Sequence, residues 1–411
     1  MPGPLPVGDP VPPAGPVDPS APAGEFGVYV HVPFCASRCG YCDFNTYTPA
    51  EGVVADGYVD TVLAELARAA SLVTPRRVDT VFVGGGTPTL LPVSDLARVL
   101  AGIDKVWGLA TDAEITTEAN PETVSAASLV DLRAVGFTRI SLGMQSAAPH
   151  VLAVLDRQHT PGRAAAAARE ARAAGFAHIN LDLIYGTPSE RAEDFQASLD
   201  AVLDAGVDHV SAYALIVEDG TRLAARMRRG VLPYPDDDVA ADRYLAAEAA
   251  LSAAGFSWYE VSNWARGVEA RCRHNLLYWR GGDWWGLGPG AHSHVGGVRW
   301  WNVKHPAAYA AALDGGGWPA AGREVLGPDD LVTEEVMLRL RLAEGLPVSR
   351  LSGLGAGGAG GAGGAGGAVA VAERAVADGL LEPEAFTQGR LVLTLRGRLL
   401  ADGLVRDLLV A

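Results

Sequence analysis

Cysteine is scarce in this chain: there are four among 411 residues, and three of them, Cys35, Cys39 and Cys42, share one short loop. Thiols so close along the chain do not bridge one another sensibly, so a disulfide framework is not expected. Reduced thiols are typical of proteins that stay inside the cell. The scarcity of cysteine therefore excludes the small disulfide-stapled secreted domains and favours metal ligation by the three clustered thiols.

Long apolar runs and basic clusters are also missing. No apolar run reaches the about 18 residues of a membrane-spanning helix, and the first residues lack the basic start and apolar core of a signal peptide. The formal net charge is -15, which argues against nucleic acid or an anionic membrane as the main partner. We therefore expect a cytoplasmic protein with no transmembrane segment and no nucleic-acid partner.

The composition along the chain suggests several domains. Residues 1–24 are mostly Pro, Gly and Ala, and we predict a disordered leader there. Residues 25–265 alternate short β-branched runs with Ala- and Leu-rich helical patterns, as βα units on a parallel sheet do. Residues 266–328 form an aromatic linker with a loop too glycine-rich for a regular element. Residues 329–411 predict a helical, winged-helix-like domain, and residues 353–367 within it predict a flexible Gly/Ala insertion.

Six short segments have the composition of buried parallel strands, and each precedes a helical segment. They are 28–32, 80–83, 114–117, 139–142, 178–184 and 209–215. Six units are too few to close the barrel that eight strands form, so the sequence predicts an α/β fold with an incomplete parallel (β/α)6 barrel and a lateral opening. The segments that follow the strands should face one common pocket, because the C-terminal ends of parallel strands meet at one edge.

The first strand leads into the cysteine loop, with the spacing CxxxCxxC from Cys35 to Cys42. This spacing brings three thiolates within reach of one inorganic centre, and soft sulfur ligands select iron–sulfur clusters, zinc or copper(I). A structural zinc site is normally closed by a fourth protein ligand, whereas a cubane cluster on three cysteines keeps one iron open. A zinc knuckle and unliganded buried thiols are the alternatives. His31 is the best rival ligand, although its place in a strand favours packing.

Other strands also end in glycine or polar residues. The second gives Gly84-Gly85-Gly86-Thr87-Pro88, and Glu118, Gln145 and Asp182 lie at the ends of later strands. Taken singly, a glycine triplet is a turn and each polar group caps the following helix. Together they would line one rim, where the backbone amides of the glycine turn can meet a charged ligand.

The sequences CxxxCxYC after one strand and GGGTP after the next resemble the radical S-adenosylmethionine (SAM) superfamily. The resemblance implies that Cys35, Cys39 and Cys42 hold a 4Fe-4S cluster whose open iron chelates SAM, and that an electron donor is needed to cleave SAM to a 5′-deoxyadenosyl radical. It also implies a set of residues that contact SAM. They are Tyr29, Tyr41, Gly85, Gly86, Thr87, Glu118, Gln145, Arg157 and Asp182.

Within that superfamily the chain resembles the branch with HemN, the oxygen-independent coproporphyrinogen III oxidase, and with the HemW family of heme chaperones. Phe44 stands where HemN carries a further cysteine, and His274-Asn275-Leu-Leu-Tyr278-Trp279 matches the His-Asn-x-x-Tyr-Trp motif of HemW. The resemblance implies that His274 binds heme iron while Tyr278 and Trp279 cover the macrocycle. Taken alone, these residues are more often an aromatic core with a buried histidine.

Three further residues are weaker candidates for the heme or cluster site. Cys272 precedes the motif, and His292 and His294 lie two apart in the glycine-rich loop, where an extended chain would point both the same way. A lone cysteine is usually a small buried hydrophobe.

The resemblance predicts a heme chaperone that passes heme to acceptor hemoproteins, respiratory enzymes and membrane-bound ones among them. The alternative is an oxygen-independent coproporphyrinogen III oxidase, which would decarboxylate two propionates and release protoporphyrinogen IX. Phe44 argues against the oxidase, and whether the chain is an enzyme stays open. Another radical SAM reaction on an unknown substrate is a third possibility.

Overall fold

The computed structural model describes residues 7–19, 24–73, 77–354 and 364–411. The chain divides into two compact units. The first unit holds most of the chain up to Ser257, together with Trp264–His274 and Asp283–Glu324. The second holds Trp258–Asn263, Asn275–Gly282 and the described part of Val325–Ala411.

The predicted parallel sheet is confirmed in the first unit. Its strands pair in parallel in chain order from β1 to β6, with every predicted strand core at its expected place. They are β1 Phe26–Val32, β2 Val78–Gly85, β3 Leu109–Ala119, β4 Arg139–Gln145, β5 His178–Tyr185 and β6 His209–Ala214. β4 is buried along its whole length, as expected for a strand covered on both faces.

Helices alternate with these strands, as βα units require. α1 shows why they form: Val59, Val62, Leu66 and Ala69 are buried at helical spacing and make one apolar stripe. Ser125 begins α3 by accepting a hydrogen bond from the backbone N–H of Ser128. The helices are α1 Tyr58–Ala69, α2 Val93–Trp107, α3 Ala126–Ala134, α4 Pro149–Val154, α5 Arg163–Ala173, α6 Ala192–Asp204, α7 Arg222–Arg228 and α8 Asp237–Ala253.

After α8 the chain forms the short strands β7 Ser257–Glu260 and β8 Asn263–Ala265 and then α9 Arg273–Trp279. The next segment differs from the expected irregular linker. β9 Asp283–Leu287 pairs in parallel with β1 as a further strand of the barrel sheet, and β10 His292–Val295, β11 Val298–Asn302 and β12 Ala320–Val325 extend that sheet beyond β9. Burial of Trp285 and Leu287 stabilises β9, and the glycines lie at its end rather than within an irregular loop. α10 Pro306–Asp314 lies between β11 and β12.

The predicted disorder of residues 1–24 is wrong for the part from Val7 to Pro19. Asp9 and Arg323 exchange two backbone hydrogen bonds of 2.7 and 3.0 Å, and the Arg323 guanidinium donates to the Pro16 carbonyl at 3.1 Å. Val17 is buried. The segment is ordered because pairing with β12 and burial of apolar surface repay the entropy of ordering it. Residues 1–6 and 20–23 of the predicted leader lie outside the described residues.

The second unit contains the predicted C-terminal helices around one apolar core, which includes Val336, Leu340, Ala372 and Leu404. Its strands β13 Leu346–Pro347 and β14 Arg390–Leu391 pair antiparallel. The helices are α11 Pro328–Arg339, α12 Gly364–Ala377, α13 Pro383–Thr387, α14 Leu395–Leu399 and α15 Ala401–Leu409. Of the predicted Gly/Ala insertion, residues 355–363 lie outside the described residues. Among the helices described in both units, none combines the length and apolar character needed to cross a bilayer.

Candidate functional site

A cavity of about 450 Å³ opens in the first unit where the parallel strands end. It lies at the edge that the fold predicts for function, because side chains from the ends of several strands converge there. Nearly all the residues predicted to bind the cluster or SAM line it. They are Cys35, Cys39, Tyr41, Cys42, Gly85, Gly86, Thr87, Glu118, Gln145, Arg157 and Asp182.

Tyr29 is the exception, since it lies in β1 away from the cavity lining. Its hydroxyl is 3.0 Å from Nδ1 of His31. The Nε2 of His31 is 2.8 Å from the backbone carbonyl of Asn45, which can only accept, so Nε2 carries the proton and Nδ1 accepts from Tyr29. Burial lowers the pKa of His31 to about 4, so the ring is neutral at pH 7. His31 thus packs and hydrogen-bonds beneath the cysteine loop rather than acting as a ligand.

Backbone hydrogen bonds fix the cysteine loop at both ends and in its middle. The Cys35 N–H donates to the Tyr47 carbonyl at 2.9 Å, and the Tyr47 N–H donates to the Pro33 carbonyl at 2.7 Å. In the middle, the Gly40 N–H donates to the Leu155 carbonyl at 2.9 Å. A loop anchored at three points holds its thiols in place before any ligand binds.

The thiols themselves sit in a largely buried environment. Burial raises the pKa of Cys42 to about 11 and also raises that of Cys35. The thiolate forms that ligate metal therefore need positive charge nearby, which bound iron supplies. In the described part of the chain no three His, Cys, Asp or Glu side chains converge on one point as the ligands of a single ion do. A cubane cluster binds each cysteine to a different iron, so it requires three thiols on one wall rather than convergence on a point.

Several protein groups already contact the thiol sulfurs. An N–H of the Arg157 guanidinium lies 3.1 Å from Sγ of Cys39, and the Thr87 hydroxyl lies 3.9 Å from Sγ of Cys35. Hydrogen bonds to ligating sulfurs are one of the means by which proteins set the reduction potential of a cluster.

The glycine turn after β2 has a different use from the one expected. Its amides are already bonded: Gly85 N–H donates to Glu118 Oε2 at 2.8 Å, Gly86 N–H to the Val32 carbonyl and Thr87 N–H to the Phe34 carbonyl, both at 2.7 Å. The expectation that these amides meet a charged ligand is therefore wrong. The glycines are required by close packing, since a Cβ on Gly86 would lie 2.5 Å from the Phe34 carbonyl oxygen.

Two carboxyl groups on the cavity wall are buried with too few partners to stabilise their charged forms fully. Burial raises the pKa of Glu118 to about 7, although the hydrogen bond from the Gly85 N–H lowers it in part. Burial also raises the pKa of Asp182, whose oxygens accept from Ser141 at 2.9 Å and from Asn180 at 2.7 Å. A cationic ligand in the cavity would be stabilised by both groups, because it would favour their ionised forms.

Gln145 holds a strained backbone at the end of β4. Its φ of 67° lies in the left-handed region that residues other than glycine rarely adopt, next to a register shift between Gly143 and Gln145. Strain of this kind clusters at functional sites. No local sequence pattern predicts this strain. The hydrogen bonds of Ser141 and Asn180 to Asp182 were not predicted either, because polar residues within a buried strand look only like exceptions to its apolar pattern.

His274 lies away from the cavity, at the opposite end of the strands. It is buried, its Nδ1 is 2.8 Å from the Thr80 hydroxyl, and its ring stacks on Phe82 with centroids 5.3 Å apart. Its backbone N–H donates to Glu114 Oε1 at 3.1 Å. Burial lowers its pKa to about 3, so the ring is neutral. This is the arrangement of a buried, hydrogen-bonded histidine.

The other heme candidates are not among the residues that line the cavity. Tyr278 and Trp279 continue α9 in the second unit and are half-buried. Cys272 is buried, and its Sγ is 3.6 Å from Glu114 Oε1. His292 is exposed whereas His294 is buried, although both lie in β10. Their roles as heme or cluster ligands stay predictions.

The chain is similar to known proteins over most of its length. A family model described as the radical SAM superfamily matches residues 29–202. The heme chaperone HemW of Mycobacterium tuberculosis (strain CDC 1551 / Oshkosh) is 57% identical over 390 residues, which cover 94% of this chain and 96% of that protein. The heme chaperone HemW of Escherichia coli (strain K12) is 38% identical over 325 residues, 78% of this chain and 83% of that protein.

Among solved structures, coproporphyrinogen III oxidase (HemN) from Escherichia coli, a radical SAM enzyme, matches 96% of this chain and 90% of its own with a TM-score of 0.77. Its sequence identity is 24%, so this likeness shows the shared fold. The relatives show the family as well, because their identities of 57% and 38% extend over 94% and 78% of this chain. The chain belongs to the HemW family of the radical SAM superfamily.

Proposed function

We propose that this chain is a heme chaperone that holds a SAM-binding 4Fe-4S cluster in the strand-end cavity and transfers heme to acceptor hemoproteins. The observation that carries the proposal is one cavity lined by three clustered thiols and acidic strand-end groups, in a chain 57% identical to a heme chaperone over 94% of its length. Respiratory hemoproteins, including membrane-bound ones, are the proposed acceptors. An electron donor is the further partner that a redox-active cluster needs.

In this proposal Cys35, Cys39 and Cys42 hold the cluster. When bound, the cluster supplies one open iron and one electron for chemistry on SAM. The residues of the chain do the positioning: Arg157 donates to the Cys39 sulfur and the Thr87 hydroxyl to the Cys35 sulfur. Such partners orient ligands and adjust the potential of the centre they surround.

The wall charges favour SAM as the second ligand. SAM carries an ammonium and a sulfonium, which the Glu118 and Asp182 carboxylates would stabilise, and a carboxylate, for which Arg157 is the cationic partner. Gly85, Gly86, Thr87, Tyr41 and Gln145 supply the remaining walls. Tyr29 supports this wall through His31, whose ring lies within 2.6 Å of where a Cβ on Gly85 would sit.

Heme is the proposed cargo, with His274 as its axial ligand. The ring is held by Thr80 and Phe82, so coordination of iron requires it to leave these contacts. Heme binding through His274 is therefore a two-state process, in which the contacts of the buried state oppose iron coordination. Tyr278 and Trp279 stay predictions for the faces of the macrocycle.

The coproporphyrinogen III oxidase is the second candidate function, and one observation favours it. Phe44, Tyr213 and Ile216 line the cavity and are exposed, so a tetrapyrrole could lie against an apolar surface within reach of the cluster. Phe44 also occupies the position of the extra HemN cysteine, which favours the chaperone. Activity must therefore decide between the two.

The deciding experiment reconstitutes the cluster anaerobically and supplies SAM and a reductant with either heme or coproporphyrinogen III. Heme affinity is followed by its visible absorption in wild type, His274→Ala and the control His150→Ala. His150 is a partly exposed histidine of the same unit that pairs with Asp194 at 3.0 Å.

For a chaperone with His274 as ligand, heme binds to the wild type and the control, His274→Ala weakens it by about tenfold or more, and no porphyrinogen turns over. Equal heme affinity in His274→Ala and wild type would remove His274 as the ligand. Formation of protoporphyrinogen IX would establish the oxidase instead. A preparation that holds zinc but no iron or sulfide would refute the cluster assignment itself.

A further inference from the structure

The turn at residues 288–290, which follows β9, lies against the cysteine loop. We propose that Asn45 and the glycines of this turn are positioning residues for the cluster: together they set where the Cys42 end of the loop sits. The inference rests on the cluster assignment made above and adds residues that are not part of the cavity lining.

Asn45 joins the loop to the turn. It is three residues beyond Cys42 and buried, and its side-chain N–H groups donate to the Pro289 and Lys304 carbonyls, each at 2.9 Å. Its backbone carbonyl accepts from His31 Nε2 at 2.8 Å. The residue therefore ties the end of the cysteine loop both to the strand that precedes the loop and to a segment more than 240 positions away.

The turn is shaped around these contacts. A Cβ on Gly290 would lie 2.4 Å from the Asn45 side-chain nitrogen, and a Cβ on Gly288 would lie 2.6 Å from the His31 carbonyl oxygen. Both glycines also have positive φ, 102° at Gly288 and 76° at Gly290. Only glycine permits this conformation together with this approach, which explains a glycine-rich motif that the proposed heme and SAM contacts leave unexplained.

The turn is itself fixed from behind. Buried Glu65 accepts from the Gly288 N–H at 2.9 Å and from the Asn302 amide at 2.8 Å, and also from the Tyr309 hydroxyl. The Gly290 N–H donates to the Val303 carbonyl at 2.9 Å. A turn held this firmly can serve as a rigid support for a loop that holds a cofactor.

The middle of the cysteine loop has its own supports, which differ from those of the Cys42 end. Gly40 bonds to the Leu155 carbonyl and accepts from the Leu223 N–H, and Arg157 donates to Cys39. Loss of Asn45 therefore moves the Cys42 end relative to Cys39 instead of releasing the whole loop. A cluster held there would then have one thiol out of place, and the fold would be retained.

The test uses Asn45→Asp, Asn45→Ala and Gly290→Ala in the full chain. Asn45→Asp keeps the size of the side chain but replaces the NH2 group, which donates both hydrogen bonds, by one oxygen that faces two carbonyls. The control is Gly206→Ala, since Gly206 has φ 71° and no neighbouring atom within 4 Å of where a Cβ would sit, so this variant carries the backbone strain without the contact. Iron and sulfide per chain, the EPR spectrum of the reduced cluster with and without SAM, its midpoint potential and the circular dichroism of each variant are measured.

We expect the three test variants to keep the wild-type circular dichroism, to show an altered EPR spectrum and potential, and to bind SAM about tenfold more weakly, as loss of supporting partners does at metal sites. Gly206→Ala should match the wild type in these cluster properties. Gly290→Ala should add little to Asn45→Ala, because the clash is with the side chain already removed.

Wild-type EPR spectra and SAM affinity in Asn45→Asp and Gly290→Ala would overturn the inference, as would equal effects of Gly206→Ala and Gly290→Ala. If Gly290→Ala fails to fold, Asn45→Asp alone decides. A wild-type protein that takes up no iron and sulfide would instead overturn the proposed cluster, so the two failures are distinguishable. Heme binding takes no part in this test.

Discussion

The two ends of the barrel in the first unit are built in opposite ways. Where the strands end, the structure has a cavity, a strained Gln145 and carboxyl groups whose pKa burial raises. At the opposite end, residues 270–274 are held among the strands by direct ion-pair and hydrogen-bond partners. The two ends therefore serve binding and stability separately. Carboxyl groups at the strand ends lack full hydrogen-bond and ion-pair partners, so a cationic ligand would stabilise them. At the other end the buried charges have partners within the protein and stabilise the fold.

Arg139 and Glu114 organise that second end. Arg139 donates to Glu114 at 3.0 Å and to the Ala270 and Arg271 carbonyls at 2.8 and 3.0 Å. Glu114 accepts from the His274 N–H. Both side chains of the ion pair are buried, and Arg139 is the first residue of β4 while the strained Gln145 is its last. The strand β4 thus begins with a residue that stabilises the fold and ends with a strained residue at the cavity.

The largest effect is expected from Arg139→Leu. This change leaves the Glu114 carboxylate buried without its cation and frees two carbonyls, so the free energy of unfolding should fall by about 3–5 kcal/mol. Urea denaturation of the protein without cofactors measures it. Arg98→Ala is the control, because Arg98 pairs with Asp60 on the surface, and no resolvable change is expected there. Equal stability of Arg139→Leu and wild type would show that this end of the barrel is not what stabilises the fold.

An intermediate effect, dependent on pH, is expected from Glu118→Gln at the cavity. The folded-state pKa of Glu118, about 7, is above its ordinary value of 4.5. The folded state therefore holds the proton more tightly, and this contribution to stability is fully present below about pH 4.5 and lost as pH rises towards 7. At pH 8 the free energy of unfolding of the glutamine variant should exceed that of the wild type by about 3 kcal/mol, and at pH 5 by about 1 kcal/mol or less.

Urea midpoints at several pH values test this, and the difference between the two proteins isolates Glu118 from other buried acids such as Glu65. A constant difference from pH 5 to 8 would mean that the Glu118 carboxyl is well solvated. A bound cation would then gain nothing from relieving an uncompensated charge at Glu118.

Sequence alone predicted the strand-end site well but not the opposite end. The positions of the cysteine loop, the glycine turn, Glu118 and Asp182 were predictable because the C-terminal ends of parallel strands meet at one edge. The role expected for the glycine amides was wrong. The residues alone favoured a buried histidine at His274, as the structure has it, but its partner Thr80 is 194 positions away and was not predictable. The strand β9 was not predicted because the glycines that follow it suggested an irregular loop. One of these glycines, Gly290, is required by its close contact with Asn45, which no local sequence pattern reveals.

The smallest effect is expected from Gln145→Gly, and its sign is informative. Glycine relieves the left-handed backbone at φ 67°, so the protein without cofactors should become more stable by about 0.5–1 kcal/mol. The same substitution at Gln196, within α6, should destabilise by about 1 kcal/mol because glycine is a poor helix former. Urea denaturation of both variants measures the pair, and SAM titration of the reconstituted Gln145→Gly protein should show weaker binding. Stability gained while SAM affinity is lost would show that the strand ends hold strain for the ligand; a loss of both would place Gln145 with Arg139, among the residues that hold the fold.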